Sequence, residues 1–231
     1  MQLWLCPLFA FLLGSIPFGL WIARAKGIDI RAHGSGNIGA TNVLRVVGKG
    51  HGIACLLLDA LKGLVPVILA FSLVRYDGMN HPWSIDALLP WSGEFSRTTC
   101  QICQVVTGFA AIFGHNYSPW VGFKGGKGIA TSAGVLIALM PAAVVILLVL
   151  WIIVFVTTRY VSIASIVAAA VLPILTIGGS WFHGRLQDGT WNRPLFVFSL
   201  IVASLAIWKH RSNLVRLKNG TEHRFTRKSS T

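Results

Sequence analysis

Between Gly134 and Val156 the chain carries no charged residue. A helix needs about 20 mostly apolar residues to cross the hydrocarbon core of a bilayer, so this run constrains the fold more than any other feature. Further apolar stretches fall at 3–23, 52–74, 102–114, 161–180 and 195–208, and the charge-free run is itself embedded in 129–158. In lipid every backbone N–H and C=O must be paired within the protein, which an apolar run of this length achieves as a helix. Composition agrees: 54% of the 231 residues are apolar and 12% are charged, whereas soluble domains carry about a quarter charged residues. The expectation is an all-α integral membrane protein, a single polytopic domain over 1–231 with the basic residues of 224–231 as a flexible tail.

As one helix, the 129–158 stretch would run about 45 Å against a core of about 30 Å, so it is either tilted or broken near Pro141. The cations decide between these, because Lys and Arg concentrate on cytoplasmic loops. With seven transmembrane helices and an outside N-terminus, fifteen of the twenty cations lie inside, four (Arg75, Arg97, Arg185, Arg193) lie outside, and Lys62 sits within a span. With six, the Arg159 turn and either the basic tail or the first loop fall on the wrong side. The expected arrangement is therefore seven helices, N-terminus outside and C-terminus cytoplasmic, with short or partly re-entrant segments at 102–114, 129–140 and 195–208. The first stretch is basic only at its far end, at Arg24 and Lys26, the reverse of a secretory signal, and reads as a retained span. A net charge of +13 would suggest nucleic acid in a soluble chain; here the membrane accounts for the placement of the cations, and no nucleic-acid partner is expected.

Several motifs point elsewhere and fail on context. "GSGNIG" (34–39) matches the dinucleotide fingerprint, with Asp59 at a suitable distance, but a membrane span precedes it where a strand is required. "GFKGGKG" (122–128) is no Walker A loop, since Gly128 stands where the magnesium-binding hydroxyl belongs. Cys100 and Cys103 form a CxxC without a second pair, so no metal and no cofactor is expected. His183 and Asp188 match the H-x-x-x-x-D spacing of peripheral acyltransferases, but they fall on the outer side. The 75–101 segment is the long external loop, and nothing in it converges on a chemical role.

What remains is gathered in three segments on the expected cytoplasmic face. In 27–50, the backbone of Gly34 and Gly36, the side chains of Ser35, Asn37, Thr41 and Asn42, and the Arg45 guanidinium form a dense set of donors for an anion. A helix starting near Ala40 would add a favourable dipole. In 115–128, Lys124 and Lys127 alternate with Gly125, Gly126 and Gly128, which let the backbone approach a phosphate; snorkelling lysines at a helix end are the plainer alternative. In 209–224, His210 and Asn213 lie three apart on one face. Asp59 and Lys62, also three apart, are charges at membrane depth that must pair with each other or line a site.

Taken in order, "GSIPFG", "GSGNIGATNVLR", "LDALKG", "GHNYSPWVGFKGGKGIAT" and "HRSNLVRLKNGTE" resemble the bacterial acyl-phosphate:glycerol-3-phosphate acyltransferases, the PlsY family, over nearly the whole chain. The 75–101 loop is longer than is usual for that family, and the tail after Glu222 is extra. The resemblance implies transfer of a fatty acyl group from acyl phosphate to the sn-1 hydroxyl of glycerol 3-phosphate, giving lysophosphatidic acid and phosphate at the inner face of the bacterial cytoplasmic membrane. It implies essential roles for Ser35 and Arg45, glycerol 3-phosphate binding by Lys124 to Gly128, functional roles for His210 and Asn213, and a structural role for Glu222. It is compatible with a monomer that receives acyl phosphate from the enzyme making it. Because no Asp-His pair stands out among the cytoplasmic motifs, the expected chemistry is positioning and charge stabilisation, with a substrate phosphate taking the proton. The rival readings are a transporter for a phosphorylated metabolite and an acyl-CoA-dependent enzyme using His183 and Asp188. No internal repeat supports the first.

Overall fold

The computed structural model describes residues 2–79 and 93–225. The apolar stretches fold as helices: α1 (Gln2–Ser15) and α2 (Phe18–Arg24), α4 (Lys49–Leu73), α5 (Arg97–Asn116), α6 (Ile129–Leu139), α7 (Pro141–Thr158), α8 (Val161–Phe182) and α9 (Arg193–Lys209). Two short helices lie in the polar segments, α3 (Ala40–Val46) and α10 (Arg211–Lys218). Among the described residues the strands are β1 (Val74–Arg75) and β2 (Gly93–Glu94), paired in parallel at the start of and within the 75–101 loop, of which 80–92 lie outside the described residues.

Among the described residues four segments are long and apolar enough to cross a membrane: Gln2–Arg24, Lys49–Leu73, Pro141–Thr158 and Val161–Phe182. The bent pair α9 and α10, at 47°, makes a fifth if it counts as one span. The 129–158 stretch is broken at Met140, immediately before the proline, because Pro141 has no N–H to continue the preceding ladder. At 11 residues α6 is roughly 16 Å long, about half a hydrocarbon core. Helix α5 extends beyond the apolar 102–114 stretch at both ends, where Cys100, His115 and Asn116 turn inward and are buried.

Two compact units result, Met1–Pro141 with Asn192–Phe198, and Ala142–Trp191 with Ser199–Thr231, where the sequence shows no linker. In the first unit, small residues allow helix backbones to approach closely, as membrane helices require. A Cβ on Gly14 would run into the Ala111 carbonyl, and one on Gly114 into that of Phe11, so α1 and α5 are held by a reciprocal pair of glycines. Gly63 and Gly134 do the same for α4 and α6, against the carbonyls of Thr131 and Ala60. The first span is interrupted at Ile16 and Pro17, and the break is stabilised from outside: Ser118 Oγ donates to the Ser15 carbonyl at 2.6 Å and Lys62 Nζ to the Ile16 carbonyl at 2.7 Å.

In the second unit, almost none of α7 is covered, with 6% of its span buried, so its all-apolar surface is one that only lipid solvates well. The Trp151 indole N–H donates to Ser165 Oγ at 3.1 Å, tying α7 to α8. The last residues before the undescribed 226–231 are attached rather than loose: Phe225 donates its N–H to the Arg159 carbonyl at 3.0 Å and sets its ring against Phe155.

Candidate functional site

In the first unit, the 30–46 loop is organised by one residue. Asn42 is 2% exposed and spends its whole amide on the loop backbone: Nδ2 donates to the carbonyls of Ile30, His33 and Asn37, while Oδ1 accepts from the Ser35 N–H at 3.0 Å. Asn37 Oδ1 accepts from the Gly39 N–H at 2.8 Å, and α3 begins at the next residue, as its N-terminus near Ala40 requires. Gly34 has φ +59°, and a Cβ there would also strike Asn42 Oδ1. Asn42, expected to contact phosphate, thus acts on the loop itself, and it positions the Ser35 backbone. The Ser35 hydroxyl, half-buried, makes no hydrogen bond among the described residues. Thr41 is half-buried, and Arg45 is exposed on α3. At the start of the loop Asp29 caps a short 3-10 turn and pairs with Arg31 at 3.1 Å; this exposed contact holds the Asp29 carboxyl below its ordinary range.

The 115–128 segment leaves α5 and turns through Pro119–Val121. Gly122, Phe123 and Gly128 all take positive φ, at 62°, 60° and 80°. Phe123 is the non-glycine residue among them and stands 63% exposed, a conformation that its surroundings must hold. Lys124 is exposed, Lys127 half-buried, and Gly126 and Gly128 are buried. The loop is seated on the last turn of α5: Gly126 donates its N–H to the His115 carbonyl at 3.1 Å, a Cβ on Gly126 would meet the His115 imidazole at Nε2, and one on Gly128 would meet Asn116 Oδ1. The glycines between the lysines are therefore required by packing against His115 and Asn116, whatever the loop binds. Val121 at the base of this loop joins Ile30, Ile38, Val43, Leu20 and Cys55 in one apolar cluster. The two donor-rich loops of the first unit thus share a foundation.

Beneath them lies a buried ionic group that the sequence reveals only in part. Lys62 Nζ lies 2.8 Å from Asp59 Oδ1, with their side chains 1% and 3% exposed. His115 Nδ1 faces the same oxygen at 3.6 Å, its side chain 5% exposed. Asp59 on α4 and His115 on α5, more than fifty residues apart in the chain, thus face each other at the depth of the span, a juxtaposition that spacing does not show. "GHN" preceding the glycine-lysine loop was the available signal.

In the second unit, His210 stands at the bend between α9 and α10 and is 3% exposed. Its Nδ1–H donates to the Ala206 carbonyl at 2.8 Å, which makes Nε2 the acceptor nitrogen of the neutral ring. Asn213, one turn further, donates Nδ2 to Glu222 Oε1 at 2.6 Å. The same carboxylate accepts from Ser162 Oγ at 2.8 Å and from Arg216 Nε at 2.8 Å. Burial pushes the Glu222 carboxyl up, but the hydrogen bonds from Asn213, Arg216 and Ser162 outweigh it, and the net displacement is downward.

His183 bonds to its own helix at the Gly179 carbonyl, and Asp188 accepts from the Thr190 N–H and hydroxyl. Cys100 and Cys103 are buried free thiols, and no cluster of three or more metal-ligating side chains occurs among the described residues.

An all-α chain with membrane-length helices, glycine-mediated helix contacts and its polar groups gathered in a few loops is a multi-pass integral membrane protein. The family profile described as glycerol-3-phosphate acyltransferase matches residues 4–220. The chain belongs to that family, and it is an acyltransferase. It is 45% identical over 217 residues to the glycerol-3-phosphate acyltransferase of Geobacter sulfurreducens, covering 94% of both chains. To the protein of the same name from Aquifex aeolicus it is 39% identical over 218 residues, covering 94% of this chain and 96% of the other. Its fold is similar to the crystal structure of PlsY (YgiH), an integral membrane glycerol 3-phosphate acyltransferase, in the glycerol 3-phosphate form, with a TM-score of 0.74 and 35% identity over 98% of this chain and 96% of that one. The lysophosphatidic acid form of the same enzyme gives a TM-score of 0.72.

Proposed function

We propose that the protein transfers a fatty acyl group from acyl phosphate to the sn-1 hydroxyl of glycerol 3-phosphate, releasing lysophosphatidic acid and inorganic phosphate. The observation that carries this reading is the match over 94% of the chain to a relative named for the acceptor, in a chain that carries the five motifs in order. The acceptor oxygen bonds to the acyl carbon as the carbon's bond to the phosphate oxygen breaks, and the departing phosphate carries away the hydroxyl proton. Acyl phosphate is a mixed anhydride with a good leaving group, so fixed donors and correct placement supply most of what the reaction needs.

In this scheme Arg45 and the loop lysines Lys124 and Lys127 hold phosphate, with the backbone of Gly34, Gly36, Gly125, Gly126 and Gly128 allowing close approach. Ser35 and Asn37 orient phosphate and the reacting carbonyl, Thr41 adds a donor to phosphate, and Asn42 shapes the loop that carries them. His210 and Asn213 orient the acceptor, and Glu222 holds Asn213. Lipid supplies the acyl chain's path, the donor arrives from the enzyme that makes it, and a monomer suffices. The site faces the cytoplasm from the inner membrane, where both phosphorylated substrates are found; the cation distribution supports this orientation.

The decisive experiment gives the purified protein labelled glycerol 3-phosphate with either acyl phosphate or acyl-CoA. Product with acyl phosphate alone is expected. Product with acyl-CoA alone would favour the rival enzyme class, and no product with either donor would return the protein to transport. A pH profile that lost one limb in His210→Ala, with substrate binding intact, would make His210 the base and overturn the substrate-assisted step.

A further inference from the structure

We infer that His115 is a positioning residue for acceptor binding: braced from below by the Asp59–Lys62 pair, it is the platform that fixes the glycine-lysine loop. Three observations converge on it. Its backbone carbonyl takes the Gly126 N–H at 3.1 Å, so the loop is hung from the last turn of α5. Its imidazole closes the space over Gly126 so completely that a single added Cβ would collide with Nε2, and a Cβ on Gly125 would collide with its carbonyl oxygen. Its opposite ring nitrogen faces Asp59 at 3.6 Å, and Asp59 is held by Lys62, whose ammonium reaches across to the Ile16 carbonyl at the break in the first span.

The ring is thus gripped on both edges, with carboxylate on one side and loop backbone on the other. At 5% exposure and roofed by Gly126, it is not presented to a substrate, so its contribution passes through the loop. Charged groups at membrane depth are costly, and here that cost sustains a rigid connection between α1, α4, α5 and the loop bearing Lys124 and Lys127. The chain of contacts lies wholly within the first compact unit.

This inference rests on reading the 122–128 loop as the glycerol 3-phosphate cradle, and the test separates the two. Steady-state kinetics are measured on the full chain in detergent, varying glycerol 3-phosphate and acyl phosphate in turn, for His115→Asn, Gly126→Ala, Lys127→Met, Lys124→Met and the double variant His115→Asn/Lys127→Met. His115→Asn should raise KM for glycerol 3-phosphate about tenfold, the effect of a displaced loop on acceptor binding, while kcat and the KM for acyl phosphate change less than about threefold. Gly126→Ala keeps every charged group of the cluster but forces the loop and the imidazole apart, so it should give the same signature; it decides the matter if His115→Asn does not fold. The double variant should be little worse than the worse single variant, because both act on one interaction.

A fall in kcat with unchanged KM, or effects that multiply in the double variant while the lysine variants alone raise KM, would overturn the role given to His115 and leave the cradle intact. Lysine variants with unchanged KM would remove the cradle itself, and the role of His115 with it.

Discussion

Lys62→Met is the sharpest probe of the buried ionic group. The substitution keeps a long apolar side chain but deletes an ammonium that lies 2.8 Å from Asp59 and 2.7 Å from the Ile16 carbonyl. Asp59, with a side chain only 3% exposed, would lose its nearest partner. Breaking a buried pair from one side costs about 3–5 kcal/mol, because the remaining ion is neither solvated nor neutralised. At about 2–4 °C per kcal/mol for a chain of this size, the melting temperature should fall by roughly 6–20 °C. The double variant Asp59→Asn/Lys62→Met removes both charges and should regain much of that loss. Cys6, Cys55, Cys100 and Cys103 are all buried and free, so a thiol-reactive fluorophore reports unfolding in detergent without an engineered cysteine. A single variant within about 3 °C of the parent, or a double variant no better than the single, would refute the view that the pair is a mutually dependent buried ion pair.

Three further outcomes are expected. Asn42→Ala removes the side chain that bonds to Ile30, His33, Ser35 and Asn37, and should cut kcat/KM about 100-fold through misplacement of the loop, read beside a melting curve. Ser35→Ala should lose about 100-fold in turnover, the effect of one aimed donor, while His183→Ala stays near the parent; comparable losses in both would reinstate the His183 reading. For Glu222, the folded carboxyl titrates below its ordinary value, so the stabilisation it confers is present above that ordinary value and is lost as pH falls through the depressed one. Glu222→Gln should therefore melt lower than the parent at neutral pH, and the gap should close in acid; a gap constant down to acid pH would contradict the linkage.

Much of the site was legible in the chain because its residues are local. Ser35, Asn37, Asn42 and Arg45 lie within eleven positions, and the lysines of 122–128 are interleaved with their glycines. Asn42 was legible as a polar residue in that segment and not as the hub of its loop, because a hub is defined by which carbonyls surround it. His115 was hidden for a related reason. A histidine near the end of a span has no distinguishing spacing, and its partners Asp59 and Lys62 come from another helix.

The same division holds for the fold. The charge-free run, the proline at 141 and the placement of cations determined by themselves that the chain crosses a membrane as helices and breaks near Met140, since these follow from the free energy of transferring residues one segment at a time. Only the tertiary structure decided which helices touch, because close approach depends on a glycine meeting a particular carbonyl, as Gly14 does at Ala111 and Gly134 at Ala60. It also decided that the glycines between Lys124 and Lys127 answer first to an imidazole beneath them. Transfer into lipid is a property of each segment and can be read along the chain; steric fit is a property of pairs, and the pairs exist only once the chain has folded.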